Sequence, residues 1–318
     1  MPRPSLPLHL KIVFVLLLLA LPVLRAATPD PVAAAQSSRS VSTPAPAVLP
    51  AALAAPENLL AWCIVPYDSP PRSPAARLAM LRRLGLTQYI WDWRPEHLAS
   101  LPEELALARE AGIRVRGVWL WIDANNDAPG RLGPSSRAVL DAVFAAGLRC
   151  EFWVGFNANV FASAPDDAAR VAAGVAHLAP LLAELRAQGG VLGLYNHGDW
   201  FGEPPNQLRI LAALGDPADA GLVYNFHHAH DQLARFGSFL PAMVPRLLAV
   251  NVSGVHPGGP KILPIGEGTV EPALLDALVR SGYRGPLGVL GHVENTDVEP
   301  VLARNLAGLR QLANPANP

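Results

Sequence analysis

Read as apolar and polar positions, the chain changes character at residue 57. From there one unit repeats: a short apolar run, a polar loop, an Ala/Leu-rich segment of helical period, a glycine, and the next apolar run. The runs at 59–65, 86–93, 113–122, 148–156, 191–197, 221–228, 247–254 and 285–292 predict eight strands. Each is followed by a helical pattern, at 74–84, 102–111, 134–146, 165–188, 204–214, 230–243, 270–281 and 297–312. Ser73-Pro74 and Gly133-Pro134 read as helix starts with proline in the first turn. Gly85, Gly112, Gly147, Gly189 and Gly282 stand where a left-handed stop is wanted. The spacing from Thr296 to Glu299 predicts a capping box with Thr296 as the N-cap.

Strands that are apolar almost throughout imply a parallel sheet covered on both faces. Eight strand–helix units within 57–313 match the count and size of a single (β/α)8 TIM barrel, an α/β fold. The other arrangement of such units is an open doubly wound sheet. No G-x-G-x-x-G loop follows the first strand to favour it.

The first 56 residues lack this rhythm. Arg3, His9 and Lys11 precede an apolar core at 12–24 that is short for a membrane span. This predicts a signal peptide over 1–27 and export to the periplasm or the extracellular space; the alternative is retention as an N-terminal anchor. Residues 28–56 are rich in Ala, Pro, Ser and Thr without hydrophobic period, and are expected to form a disordered linker.

Net charge is −1 and only 16% of residues are charged, which leaves no basic stripe for a nucleic acid. Beyond the N-terminal segment nothing calls for a membrane, and an oligomer is compatible with the pattern. Cys63 and Cys150 fall on the first and fourth strands, too far apart in the sheet order for a bridge, and are expected as buried free thiols.

In a parallel barrel every strand ends on one face, so the polar residues at the strand ends gather around one cup. His197 and His228 are the candidate acid/base groups, since imidazole exchanges protons near neutrality. Glu203 is a candidate carboxylate base, with Asp92 and Asp123 as further strand-end carboxylates. Lys261 is a candidate partner for a developing oxyanion. Trp91, Trp121 and Trp200 are expected to stack on a sugar ring, whereas Trp62, Trp119 and Trp153, inside strands, are expected in the core. Asn196, Asn225, Asn251, His227 and His292 would hold hydroxyl groups.

"GLYNHG" (193–198), "YNFHH" (224–228), "VNVSG" (250–254) and "LPIGEGTV" (263–270) occur in the order of four short motifs of a known family. Over 57–313 the chain resembles the xylose-isomerase-like TIM barrels, which include sugar-phosphate isomerases and epimerases and an endonuclease branch. The resemblance implies a divalent metal held by acidic and imidazole groups on strands 5 to 8. Here the matching positions are Tyr195, Asn225, Asn251 and Leu290 or Gly291. Neutral groups at these places bind a hard cation weakly, so no metal ligand is assigned. A zinc site rebuilt from His197, His227, His228 and His292 stays open, although neighbours on a strand point to opposite faces.

The resulting expectation is an exported sugar isomerase or epimerase acting on a sugar or keto-sugar. It would transfer a proton next to a carbonyl without the usual divalent metal, and its partner would be a small carbohydrate. The alternative is a non-catalytic carbohydrate-binding barrel that has lost the metal site. The endonuclease branch is disfavoured by the missing acids and the neutral charge.

Overall fold

The computed structural model describes residues 48–123 and 128–314. The signal-peptide reading at 1–27, and the linker reading as far as residue 47, lie outside the described residues. Eight parallel strands close in sequence order into a barrel. They are β1 (Leu59–Trp62), β2 (Gln88–Trp91), β3 (Arg114–Ile122), β4 (Glu151–Phe156), β5 (Val191–Tyr195), β6 (Ala220–Asn225), β7 (Leu247–Val252) and β8 (Leu287–Leu290). The ring is completed by β1 pairing with β8, Leu59 opposite Leu287.

The helices are α1 (Pro74–Arg83), α2 (Leu101–Ala111), α3 (Pro134–Ala145), a short α4 (Asn159–Ala162), α5 (Asp167–Ala187), α6 (Pro204–Ala213), α7 (Phe236–Met243), α8 (Glu271–Arg280) and α9 (Val298–Ala313). Their starts and stops follow local chemistry. Ser73 accepts the Ala76 N–H at 3.3 Å ahead of Pro74, and Asp166 accepts that of Ala169 at 2.8 Å. Gly112, at φ 66°, turns the chain out of α2 where a side chain would be strained. At α9 the N-cap is Asp297, which accepts the Glu299 N–H, and not the expected Thr296, whose hydroxyl donates to the Glu294 carbonyl.

Strand parity divides the interior in two. On β3, Val118, Leu120 and Ile122 face the helices, whereas Gly117, Trp119 and Trp121 face the barrel axis. Between sheet and helices, Arg77 and Tyr89 both bond the fully buried Glu104, at 2.5 and 3.0 Å. Inside the barrel, at its lower end, Glu151 pairs with Arg116 at 2.8 Å and accepts the Trp153 indole N–H at 2.8 Å.

Residues 48–56, expected as linker, pack onto the barrel. Leu49 and Leu53 are buried, and the Val48 and Leu49 amides donate to the Leu312 carbonyl. The apolar spacing of these two leucines is what ties the segment down. Cys63 and Cys150 are free and buried.

Candidate functional site

At the C-terminal ends of the strands lies a cavity of about 610 Å³. Its aromatic wall comes from β1, β3 and β5. Trp119 and Trp121 share a parity on β3 and stack with centroids 6.0 Å apart. Trp62 and Tyr195 meet Trp119 edge-on or tilted at 6.0 and 4.9 Å. This wall rests on β4 at Gly155, where a Cβ would lie 2.5 Å from the Trp119 ring and 2.8 Å from that of Trp121. Only glycine lets the indoles lie so close to the strand.

A row of imidazoles continues from this wall, beginning at His197, which meets Trp121 edge-on at 5.1 Å. His197 and His228 lie 4.5 Å apart by ring centroid, His228 and His227 4.3 Å, and His227 and His292 4.8 Å; the Tyr67 ring lies 3.8 Å beyond. The strand predicted through 228 stops at Asn225. Residues Phe226–His228 form one 3-10 turn, capped by the Asn225 side-chain oxygen Oδ1, which accepts the His227 N–H at 3.0 Å. The strand-parity objection therefore does not apply, and His227 and His228 both face the cavity.

All four rings are biased to the neutral form. Desolvation comes first, with the Lys261 charge adding to it: His227 falls to about 3, His292 to about 4, and His228 and His197 also drop. The Arg94 guanidinium bonds the Tyr67 hydroxyl at 3.0 Å and lies 5.3 Å above its ring. Asp92, on the inward parity of β2, completes the lining beside Cys63, which has φ 58°. Burial raises the Asp92 carboxyl to about 7, against the smaller pull of the Val65 N–H at 3.2 Å.

His197, His228, Lys261, Trp121, His227 and His292 thus come together as expected. Asp92, a strand-end carboxylate candidate, joins them, and the remaining candidates do not. Glu203 lies outside the cavity and pairs with Arg235 at 3.0 Å, its carboxylate held at the start of α6. Trp200 packs on Phe161 and donates to Asp167 at 2.9 Å, drawn away by the helix layer. Trp91 has the outward parity of β2 and is fully buried against the helices. Asn196 exchanges two hydrogen bonds with the Asn225 backbone, at 2.7 and 3.1 Å, extending the β5–β6 ladder by a side chain. Asn225 and Asn251 are fully buried beneath the cavity.

Trp62 and Trp119, expected as core, line the cavity together with Asp92, Trp93 and Arg94. The parity shared by Trp119 and Trp121 was the signal available for the first of these. For Trp153 the core reading holds, since it is fully buried.

A divalent metal does not fit the floor. The Tyr195 oxygen already accepts from Trp62 Nε1 at 3.0 Å and Asn225 Nδ2 at 2.5 Å. The Asn225 oxygen is used by His227, and the Asn251 amide, against Gly288, is neutral. Leu290 offers no donor atom. Among the described residues, no three His, Cys, Asp or Glu side chains are grouped to hold an ion.

A closed parallel barrel with this motif order has the fold of the xylose isomerase-like TIM barrels. No family model matches the chain, and no curated protein matches it in sequence. Among solved structures it is similar in fold to the 3-keto-D-glucoside 4-epimerase of E. coli, with TM-score 0.60 and 15% identity over 79% of this chain and 98% of that one. An L-ribulose 3-epimerase gives 0.58 and 16% over 81% and 96%. The IolI protein, solved with a zinc atom, gives 0.60 and 12% over 81% and 98%. A xylose isomerase-like TIM barrel/4-hydroxyphenylpyruvate dioxygenase fusion protein gives 0.57 and 14% over 80%, and the chain spans 43% of it. Identities this low carry the fold alone.

Proposed function

We propose that this chain is a sugar isomerase or epimerase that moves a proton at the carbon beside a carbonyl, with its own imidazoles as acid/base groups and without a carboxylate-bound metal. The row of four imidazoles lining one cavity with the indoles carries the reading. Rings held neutral keep a free nitrogen lone pair for a proton, while their desolvation lowers their basicity. His197 or His228 would take the proton, 4.5 Å from each other and able to share it. Lys261 and the His292 N–H would stabilise the enediolate oxygen. Trp119 and Trp121 would hold the C–H face of the sugar. Fold neighbours that act on keto-sugars and ketoses add support.

Purified protein in D2O should place deuterium at the carbon next to the carbonyl of D-fructose, D-psicose, D-tagatose or a 3-keto-glucoside, with or without chelator. His228→Asn should lower that rate about 10²- to 10⁴-fold for at least one of them. If none of these sugars exchanges, the reading fails. The fully bonded, neutral floor at Tyr195 and Asn225 favours a second reading, a carbohydrate-binding barrel without turnover. Sugar binding without exchange, indifferent to His228→Asn, would establish it. We also propose export, on the strength of the apolar core at 12–24; N-terminal sequencing of the mature protein tests it.

A further inference from the structure

We infer that Asp92 is the second acid/base group of this site, acting on the face of the substrate opposite the imidazoles, and that the reaction is therefore an epimerisation. The inference rests on the proton-transfer reading above and adds to it a residue and a stereochemical course.

Position is the first argument. In the closed ring of eight strands, β2 and β6 are four places apart and face each other across the axis. Asp92 directly follows the last residue of β2, and His227 and His228 sit one turn beyond β6. All three line the same cavity, so the carboxyl and the imidazoles approach a bound ring from opposite walls.

The second argument is the company Asp92 keeps. The other buried carboxylates among the described residues are all neutralised or saturated. Asp68 has Arg72, Glu104 has Arg77, and Glu151 has Arg116. Glu271 takes the N–H groups of Val255, Gly266 and Gly268. Asp92 is 4% exposed, accepts the Val65 N–H, and has no ion-pair partner among the described residues. A carboxyl buried this way holds its proton near neutrality and can give it up there, which a structural carboxylate has no need to do.

The chemistry then divides between the walls. A proton shifted between adjacent carbons on one face needs one base; inverting a carbon needs a group on each face. The His228 nitrogen takes the proton beside the carbonyl, and the C–H electron pair moves in to give the enediolate. The Asp92 O–H then delivers its proton to the same carbon from the other side as the carbonyl reforms. This leaves an imidazolium and a carboxylate, which exchange protons with water or run the step in reverse.

The test uses D-fructose and D-psicose, which differ only at C3, in D2O. The wild-type chain should interconvert them and label both. Asp92→Asn should slow interconversion at least 100-fold, yet still exchange deuterium into one of the two sugars and not the other. His228→Asn should exchange the other sugar only, and this arm decides the matter if Asp92→Asn does not fold. Interconversion by Asp92→Asn within threefold of wild type overturns the inference and leaves the proton-transfer reading intact. Loss of exchange from both sugars alike in a folded Asp92→Asn, or both-sugar exchange in His228→Asn, also overturns it. Absence of exchange with the wild-type chain brings down both readings.

Discussion

Asn225 Nδ2 donates to the Tyr195 hydroxyl at 2.5 Å, and Trp62 Nε1 donates to the same oxygen at 3.0 Å. One phenol on β5 therefore holds an amide from the neighbouring β6 and, across the barrel, an indole from β1. Tyr195→Phe keeps the ring but leaves two buried donors unpaired. Each costs about 1–3 kcal/mol, so a loss of about 2–6 kcal/mol is expected in urea unfolding. A change below about 0.5 kcal/mol would mean the network does not brace the floor.

The same floor bears on metals. With Tyr195, Asn225, Asn251 and Leu290 at the places that the resemblance marks for ligands, no charge awaits a cation. Prolonged dialysis against chelator should leave the melting temperature and deuterium exchange unchanged, and elemental analysis of the undialysed protein should find well under one equivalent of zinc or manganese. Stoichiometric metal, lost together with activity, would contradict this.

Glu203 pairs with Arg235 at the surface, and neither side chain is fully buried. Exposed pairs contribute about 0.2–1 kcal/mol. Glu203→Gln should cost no more than that and leave exchange rates within twofold of wild type, as activity assays and denaturant melts would record.

Asp92 should mark the alkaline side of the stability profile. Its pKa is raised from 3.8 to about 7 by burial, so the folded chain holds more protons than the unfolded one between these values. Stability then falls as pH rises through that window and is flat above it, by an amount on the order of 4 kcal/mol before relaxation. Asp92→Asn should be more stable than wild type at pH 8, by about 1–3 kcal/mol, and gain nothing at pH 4. His227 and His292 act with the opposite sign: with pKa values lowered to about 3 and about 4, they cost stability as pH falls below about 6.5. Denaturant melts across pH 4–8 check both signs.

The barrel could be read from the chain because each apolar run ends in punctuation that obeys local rules, as at Ser73-Pro74 and Gly112. The inward phase of a strand could not. In β2 every residue is buried, so nothing in the pattern says that Ile90 faces the axis while Trp91 faces the helices. The end of β6 was likewise hidden: Phe226 continues the apolar run, and only the Asn225 cap turns the backbone into the 3-10 helix that brings two histidines to one side. Glu203 and Trp200 sat at a strand end in sequence, but partners 32 and 33 residues away, Arg235 and Asp167, claim them.

Gly155 touches no cavity directly, yet it sets the calibre of the bowl. A methyl group there would lie well inside contact distance of Trp119 and Trp121, and those indoles could yield only towards the axis. Substitution at this single backbone site on β4 would shrink the admissible ligand without altering one group that bonds it. Size preference and proton chemistry in this barrel can accordingly drift independently of each other.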